Sequence, residues 1–171
     1  EVCRGVGYSF GWNRIERVDD HLTPSQLVAL LTETIAKGGN LLINIGPRAD
    51  GSIPEAQSDV LREAGRWVRA NRTALDATVP FRWWGNDTIR YTVTPSDDGL
   101  IHLNVIDLTG SAQLRLTELT PDEFELIDGA EARQDRLGVT ISRTTGPAPD
   151  ASLAVVHRLT MRPVGNDRPP L

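Results

Sequence analysis

Aromatic residues alternate with small ones near the start of the chain, in a pattern that suits contact with a sugar. Tyr8, Phe10 and Trp12 are separated by Ser9 and Gly11. In an extended segment, a period of two places the three rings on one side, and the small residues opposite let another backbone come close. Flat aromatic rings suit the apolar C–H face of a sugar. The same pattern describes a strand packed in a core, so both interpretations stay open on pattern alone.

Carboxylates are the second group that chemistry on a glycoside requires. Hydrolysis uses a pair that lies about 5–5.5 Å apart when configuration is retained and about 6.5–9.5 Å apart when it is inverted. The available carboxylates are Glu1, Glu16, Asp19, Asp20, Glu33 and Asp50. Of these, only Glu1 lies beside the aromatic segment, and it could be structural or functional. Asp19 and Asp20 precede a predicted helix, where negative charge is favourable. Glu33 is predicted on a solvated helix face, and Asp50 in a turn.

Two asparagines bracket a short apolar segment, and one cysteine precedes it. Asn40 and Asn44 flank Leu41-Leu42-Ile43. A polar residue at the carboxyl end of a barrel strand often faces the active site, but each Asn could equally satisfy local backbone groups. Cys3 has no histidine nearby in the sequence. We therefore predict that it is a small buried filler rather than a nucleophile.

The elements that must position these residues are a strand between two helices. Thr23, Pro24 and Gln26 form a helix start, and the apolar period of the following residues predicts a helix that ends at Lys37-Gly38-Gly39. Residues 40–45 are continuously apolar between their asparagines, as in a strand buried on both faces. A second helix is predicted from about Pro54 to Ala70. This order predicts a parallel sheet with helical crossovers.

The pattern changes near residue 80 from helical periodicity to strict alternation. Short apolar–polar runs, each with one predicted wet face, are separated by turns such as residues 95–99. They predict an antiparallel β-sandwich. We place the division between residues 1–78 and residues 79–171. One and a half strand–helix units cannot close a barrel, so the first part is predicted to be a piece of a larger domain whose remainder pairs with the strand at 40–45.

Composition excludes several classes of function. The 171 residues carry a formal net charge of −5, which removes the phosphate attraction on which nucleic-acid binding depends. No apolar run approaches the roughly 20 residues of a spanning helix. A single cysteine and three dispersed histidines give no metal-ligand spacing, so we predict neither a metal nor another cofactor. Arginine strongly outnumbers lysine, which favours a bacterial source with GC-rich DNA. The sequence predicts neither the oligomeric state nor the compartment, since any export signal would precede Glu1.

Three segments resemble the α-L-fucosidases of glycoside hydrolase family 29. Residues 1–14, EVCRGVGYSFGWNR, are similar to the family's WE.CR.IG.SFGYN. Residues 37–54, KGGNLLINIGPRADGSIP, resemble KGGNLLLNIGP..DG.IP, the most specific of the three. Residues 61–71, LREAGRWVRAN, resemble the start of LREIGEWL..NGEAIY. The resemblance is close over about residues 1–77 and is one of pattern only beyond them.

The resemblance implies a fold and an activity. Residues 1–78 would be the last part of a (β/α)8-type barrel, followed by the C-terminal β-sandwich. The family hydrolyses terminal α-L-fucosides with retention, so fucosylated glycans or glycosides are the implied substrates. Its nucleophile is an aspartate of an earlier W.D motif that these 171 residues lack. We therefore predict that the chain alone is inactive.

The resemblance also implies roles for three residues. Glu1 matches a glutamate that has been proposed as general acid/base in some members of the family. Phe10 would pack against the fucose ring or its methyl group. Trp12 stands where the family usually has tyrosine, and we predict that it contacts the substrate beside Phe10. The alternative is a non-catalytic carbohydrate-binding or structural sandwich module, in which Trp83 and Trp84 could form a stacking platform.

Overall fold

The computed structural model describes residues 1–143 and 153–165. The first part of the chain alternates strand and helix. Its elements are strand β1 (Val2–Gly5), helix α1 (Pro24–Ala36), strand β2 (Leu41–Asn44) and helix α2 (Glu55–Ala70). Single-turn 3-10 helices lie at Val18–Asp20 and Arg72–Ala74. Both predicted helices and the predicted strand are present, each within about a residue of the expected bounds.

Helix α1 begins at the capping box that its sequence predicts. The backbone N–H of Gln26 donates to Oγ1 of Thr23 at 3.2 Å, and the N–H of Thr23 donates to Oε1 of Gln26 at 2.8 Å. These two bonds satisfy amides that a helix start otherwise leaves free. Pro24 occupies the first helical position, where its missing N–H costs nothing. The helix buries Leu27 and Val28 against α2 and the sheets.

Strand β1 pairs in parallel with β2, in register from Val2 opposite Leu41 to Gly5 opposite Asn44. Within residues 1–143 and 153–165, β2 has no second strand partner. The prediction that β2 is buried on both faces is wrong for this chain, because Leu42 is 45% exposed. The predicted burial of Cys3 is also wrong, since Cys3 is exposed on β1. No element within residues 1–143 and 153–165 covers the face that these two residues share.

The second part of the chain is an antiparallel β-sandwich, as predicted. One sheet has the strand order β3-β4-β5-β10-β7 and the other β6-β9-β8. The strands are β3 (Val79–Gly85), β4 (Ile89–Thr94), β5 (Ile101–Asp107), β6 (Gln113–Leu116), β7 (Phe124–Gly129), β8 (Ala132–Asp135), β9 (Gly138–Ser142) and β10 (Val155–Pro163). Side chains from both sheets form the core between them, including Tyr91, Leu103, Leu116, Ile141 and Met161.

Strands β4 and β5 depart from the predicted pattern of one wet face. Their polar side chains Arg90, Thr92 and Asn104 are buried. Oγ1 of Thr92 donates to the carbonyl of Ala74 at 2.7 Å, and the amide of Asn104 donates to Oγ1 of Thr92 at 3.2 Å. This face of the sheet therefore packs on the helical part of the chain instead of facing water.

The contact between the two parts is both apolar and polar. A second hydrophobic core joins Val28 and Trp67 of the helices with Ile106 and Leu153 of the sandwich part. Nε1 of Trp67 donates to the carbonyl of Ala154 at 2.8 Å. The division at residues 78 and 79 stays a prediction. None of the described helices is long and apolar enough to cross a membrane.

Candidate functional site

The aromatic segment follows β1 directly and bends instead of continuing as a strand. Residues 6–14, which we call the aromatic loop, leave β1 after Gly5. Tyr8, Phe10 and Trp12 are 91%, 56% and 45% exposed. The interpretation as a core strand is therefore wrong for these rings, because the strand ends before them. The loop lies at the carboxyl end of β1, the side of a parallel sheet where barrel active sites form.

Residues at the carboxyl end of β2 contact the backbone of the aromatic loop. The side-chain Nδ2 of Asn44 donates a hydrogen bond to the main-chain carbonyl of Phe10. Two residues later, Gly46 packs against the loop backbone so closely that a Cβ would lie 2.6 Å from C of Gly11 and 2.7 Å from Cα of Trp12. The N–H of Gly46 donates to Oε1 of the buried Gln57 on α2 at 2.9 Å.

A buried carboxylate supports the other side of the loop. The side chain of Glu16 is 4% exposed, and its Oε1 accepts the backbone N–H of Ser9 at 2.7 Å. Its Oε2 lies 3.7 Å from Nε2 of His21, whose side chain is also buried. Gly7 leaves room for this carboxylate, since a Cβ there would lie 2.7 Å from Cδ of Glu16. The loop therefore folds around Glu16.

A cavity of about 360 Å³ opens between the loops that follow β1 and β2. Trp12, Glu16 and His21 line it from the first loop, and Arg48 from the second. Gln57 contributes from the first turns of α2. The wall thus combines an indole ring with hydrogen-bond donors and acceptors, a combination that suits a polar ligand with apolar faces.

The structure separates two sequence-predicted residues from this site. Glu1 is exposed and precedes β1, so the four residues of the strand lie between it and the aromatic loop. At about 3.3 Å per residue, that is roughly 13 Å along the chain. Asn40 lies at the same amino end, where its carbonyl accepts the N–H of Val2 at 2.8 Å. Of the two asparagines, only Asn44 reaches the loop, where its side chain contacts a backbone carbonyl.

The loop after β2 contains the predicted turn. Oδ1 of Asp50 accepts from the N–H of Ser52 at 2.9 Å and from its hydroxyl at 2.7 Å. These hydrogen bonds, led by the one from the Ser52 hydroxyl, lower the pKa of Asp50. Gly51 has a φ of +83°, which favours glycine. Over the described ranges, no three His, Cys, Asp or Glu side chains are grouped so as to hold a metal.

Trp83 and Trp84 do not form a bare stacking platform. Both are partly buried. Trp83 packs edge-on against Phe81 with ring centroids 5.5 Å apart, and the guanidinium of Arg82 lies 3.8 Å from its centroid. Nζ of Lys37 lies 4.1 Å from the Trp84 ring. A cationic side chain of the protein therefore lies against the ring of each tryptophan.

Glu16, Gly46 and Gln57 contribute to the site without a sequence signal that singles them out. Glu16 and Gln57 accept backbone N–H groups at separations of 7 and 11 residues, and Gly46 packs against the backbone of the aromatic loop. Such contacts follow no periodicity. The one available hint is Gly46-Pro47 directly after a buried strand, which marks a tight turn but not its neighbour.

Comparisons with known proteins agree on one family for the amino-terminal part. Residues 1–73 match the model of the alpha-L-fucosidase family. An alpha-L-fucosidase of Branchiostoma floridae is 39% identical over 112 residues, which cover 63% of this chain and 24% of that protein. Human plasma alpha-L-fucosidase is 38% identical over 112 residues, with the same two shares. The chain thus spans about a quarter of the length of these curated relatives.

Solved structures extend the similarity through the sandwich. Thermotoga maritima alpha-fucosidase in complex with fucose matches with a TM-score of 0.72 and 26% identity, covering 92% of this chain and 39% of that one. Alpha-L-fucosidase isoenzyme 1 from Paenibacillus thiaminolyticus matches with a TM-score of 0.70 and 28% identity, covering 94% and 39%. The fold is therefore the end of a fucosidase barrel followed by its β-sandwich.

Proposed function

Since residues 1–73 belong to the α-L-fucosidase family, we propose that the full-length protein hydrolyses terminal α-L-fucosides and that this chain contributes one wall of the sugar site. The observation that carries the proposal is the aromatic loop. Phe10 and Trp12 are exposed at the carboxyl end of β1. Trp12 lines the polar cavity, and Asn44 of β2 holds the backbone of Phe10. An exposed pair of rings in a fixed loop suits the apolar face and methyl group of fucose.

The proposed reaction proceeds with retention by double displacement. A carboxylate attacks the anomeric carbon while a carboxylic acid protonates the leaving oxygen, and water then releases the sugar with help from the same acid/base residue. The resemblance implies that the nucleophile is an aspartate outside these 171 residues. In this reaction, Phe10 and Trp12 bind the sugar ring and exclude water from the apolar face of the sugar.

Glu1 is our candidate for the acid/base residue on the strength of the resemblance, although the four residues of β1 separate it from the aromatic loop. A Glu1→Ala variant of the full-length protein tests it with two substrates that differ in leaving group. If Glu1 protonates the leaving oxygen, a fucoside with a poor leaving group loses far more kcat than an aryl fucoside with a good one, and azide restores turnover of the latter. Equal losses on both substrates without azide rescue would remove Glu1 from this role.

We also propose that residues 79–171 form a separate structural domain that supports the barrel end. The buried polar face of β4 and β5, which packs on the helical part, supports this role. The covered faces of Trp83 and Trp84 favour it over sugar binding by the sandwich. Binding of fucosylated glycans by residues 79–171 alone would favour the carbohydrate-binding alternative.

The test of the proposed function replaces the rings of Phe10 and Trp12 one at a time in the full-length protein. Loss of an aromatic contact of about 1.4 kcal/mol weakens binding tenfold, so we expect the inhibition constant of fucose to rise about tenfold in Phe10→Ala. Ile15→Ala serves as the control, because Ile15 is an exposed apolar residue just outside the aromatic loop. An unchanged fucose affinity in both ring variants would contradict the proposal.

A further inference from the structure

We propose that Glu16 and Asn44 are positioning residues that fix the Phe10 ring for the sugar, acting through the two sides of its backbone. The proposal rests on the proposed function of Phe10. Glu16 accepts the N–H of Ser9, directly before Phe10, and Asn44 donates to the carbonyl of Phe10 itself. Neither side chain needs to touch the sugar in order to affect its binding.

The loop needs support from outside its rings because the ring of Phe10 is exposed. Phe10 is 56% exposed, so burial of its ring does not hold the loop in place. A free loop would sample many backbone conformations, and each residue that binding must order lowers the affinity for the sugar. A loop that is ordered before the sugar arrives avoids that cost, which is the general advantage of preorganisation.

Glu16 is suited to this task because its carboxylate is buried inside the loop. A buried carboxylate is unfavourable unless hydrogen bonds satisfy it. Oε1 receives the Ser9 N–H at 2.7 Å, and Oε2 lies 3.7 Å from the imidazole of His21. Gly7 leaves the space that the carboxylate occupies. The path from β1 to Phe10 is thereby bent around one side chain.

Asn44 supplies the second point of support from a different element. It is the last residue of β2, and β2 is fixed by its parallel pairing with β1. The side-chain amide of Asn44 therefore fixes the carbonyl of Phe10, 34 residues earlier in the chain, relative to the sheet. With the Ser9 N–H held by Glu16, the backbone is anchored on both sides of the Phe10 Cα.

A double-mutant cycle separates positioning from mere stability. In the full-length protein we would measure the dissociation constant of fucose by calorimetry, well below the melting temperature, for Glu16→Ala, Asn44→Ala and Phe10→Ala, and for each of the first two combined with Phe10→Ala. We expect each of the first two variants to weaken fucose binding about fivefold or more on its own. In the Phe10→Ala background the same changes should add less than twofold, because the ring that they position is gone.

Two further variants complete the design. Glu16→Gln should keep most of the affinity, because its amide oxygen still accepts the Ser9 N–H. Asp20→Ala is the matched control: its carboxylate accepts the N–H of Arg17 at 2.8 Å, a similar bond outside the aromatic loop. We expect Asp20→Ala to leave the fucose affinity unchanged. If Glu16→Ala does not fold, the Asn44 cycle carries the test alone.

The outcomes distinguish this inference from the proposed function. If Phe10→Ala leaves fucose binding unchanged, the proposed function of Phe10 fails, and positioning fails with it. If Phe10→Ala weakens binding but the Glu16 and Asn44 variants only lower the melting temperature, the function stands and the positioning inference is wrong. Full additivity with Phe10→Ala would likewise overturn it. Weakening that vanishes in the Phe10→Ala background supports it.

Discussion

Arg90 of β4 and Glu33 of α1 form an ion pair across the contact between the sandwich and the helices. Nη2 of Arg90 lies 3.2 Å from Oε2 of Glu33. The Arg90 side chain is 5% exposed and that of Glu33 is 37% exposed. Glu33 is predicted on a solvated helix face; its side chain is still partly exposed, but a residue 57 positions away in the chain contacts it. A hydrogen bond from Lys37, with its charge and that of Arg90, lowers the pKa of Glu33.

Removal of the Arg90 side chain should destabilise the protein measurably. We expect Arg90→Ala to lower the free energy of unfolding by about 2 kcal/mol, since it loses charge-assisted hydrogen bonds and a packed alkyl chain. Arg62→Ala is the control, because Arg62 forms an exposed ion pair with Asp59 on the same helix, worth less than about 0.5 kcal/mol. Urea unfolding of both variants measures the difference. Equal losses of unfolding free energy in the two variants would mean that the burial of Arg90 does not contribute to stability.

Stability should also fall on mild acidification because of His157. Burial lowers the pKa of His157 below its usual 6.5. The unfolded state then binds the proton more readily than the folded state does, so the histidine's contribution is intact above pH 6.5 and is lost as the pH falls from there toward the folded pKa. We expect His157→Gln to flatten the pH dependence of the urea midpoint in this range. A slope that is unchanged in His157→Gln would exclude this origin.

Two glycine replacements test the contact between the loops. A Cβ at Gly46 would meet backbone atoms of Gly11 and Trp12, whereas a Cβ at Gly11 meets nothing within 4 Å. We therefore expect Gly46→Ala to displace the aromatic loop and weaken fucose binding in the full-length protein by about tenfold or more, equivalent to about 1.4 kcal/mol. Gly11→Ala should bind fucose normally. Equal affinities of the two variants would show that the loop tolerates movement at Trp12.

Cys3 reports directly on what covers β1. The 171-residue chain has one cysteine, and its side chain is exposed on a strand with one open edge. We expect a maleimide to label Cys3 in this chain nearly as fast as in urea. In the full-length protein a neighbouring barrel strand should cover it and slow labelling at least about tenfold, because reaction then needs local opening. Equal rates at Cys3 in the two proteins, read by peptide mass spectrometry, would argue against the covering strand.

The sequence predicts most of the elements because their signals are local. The capping box of Thr23 and Gln26 marks the start of α1 to the residue, and the continuous apolar segment marks β2. The alternation after residue 80 likewise indicates the antiparallel strands. Each of these patterns depends on residues within a few positions of one another, where backbone geometry alone fixes which side chains share a face.

The sequence does not predict features that depend on distant partners. The alternating pattern predicts that the polar residues of β4 and β5 face solvent. However, α1 and residues 71–74 cover Arg90, Thr92 and Asn104. Cys3 and Leu42 read as buried, yet no described strand covers them. The supports of the aromatic loop have the same character, since each joins a side chain to a backbone group at least 7 residues away in the chain. No periodicity encodes such a pairing.

We propose that these residues complete the barrel of a fucoside-cleaving enzyme whose nucleophile lies elsewhere in the protein. The most direct measurement is the release of 4-nitrophenol from 4-nitrophenyl α-L-fucoside by the full-length protein and by the 171-residue chain, assayed side by side at equal concentration. We predict turnover by the full-length protein and none above buffer by the 171-residue chain. Absence of turnover by the full-length protein, or turnover by the 171-residue chain alone, would contradict the claim.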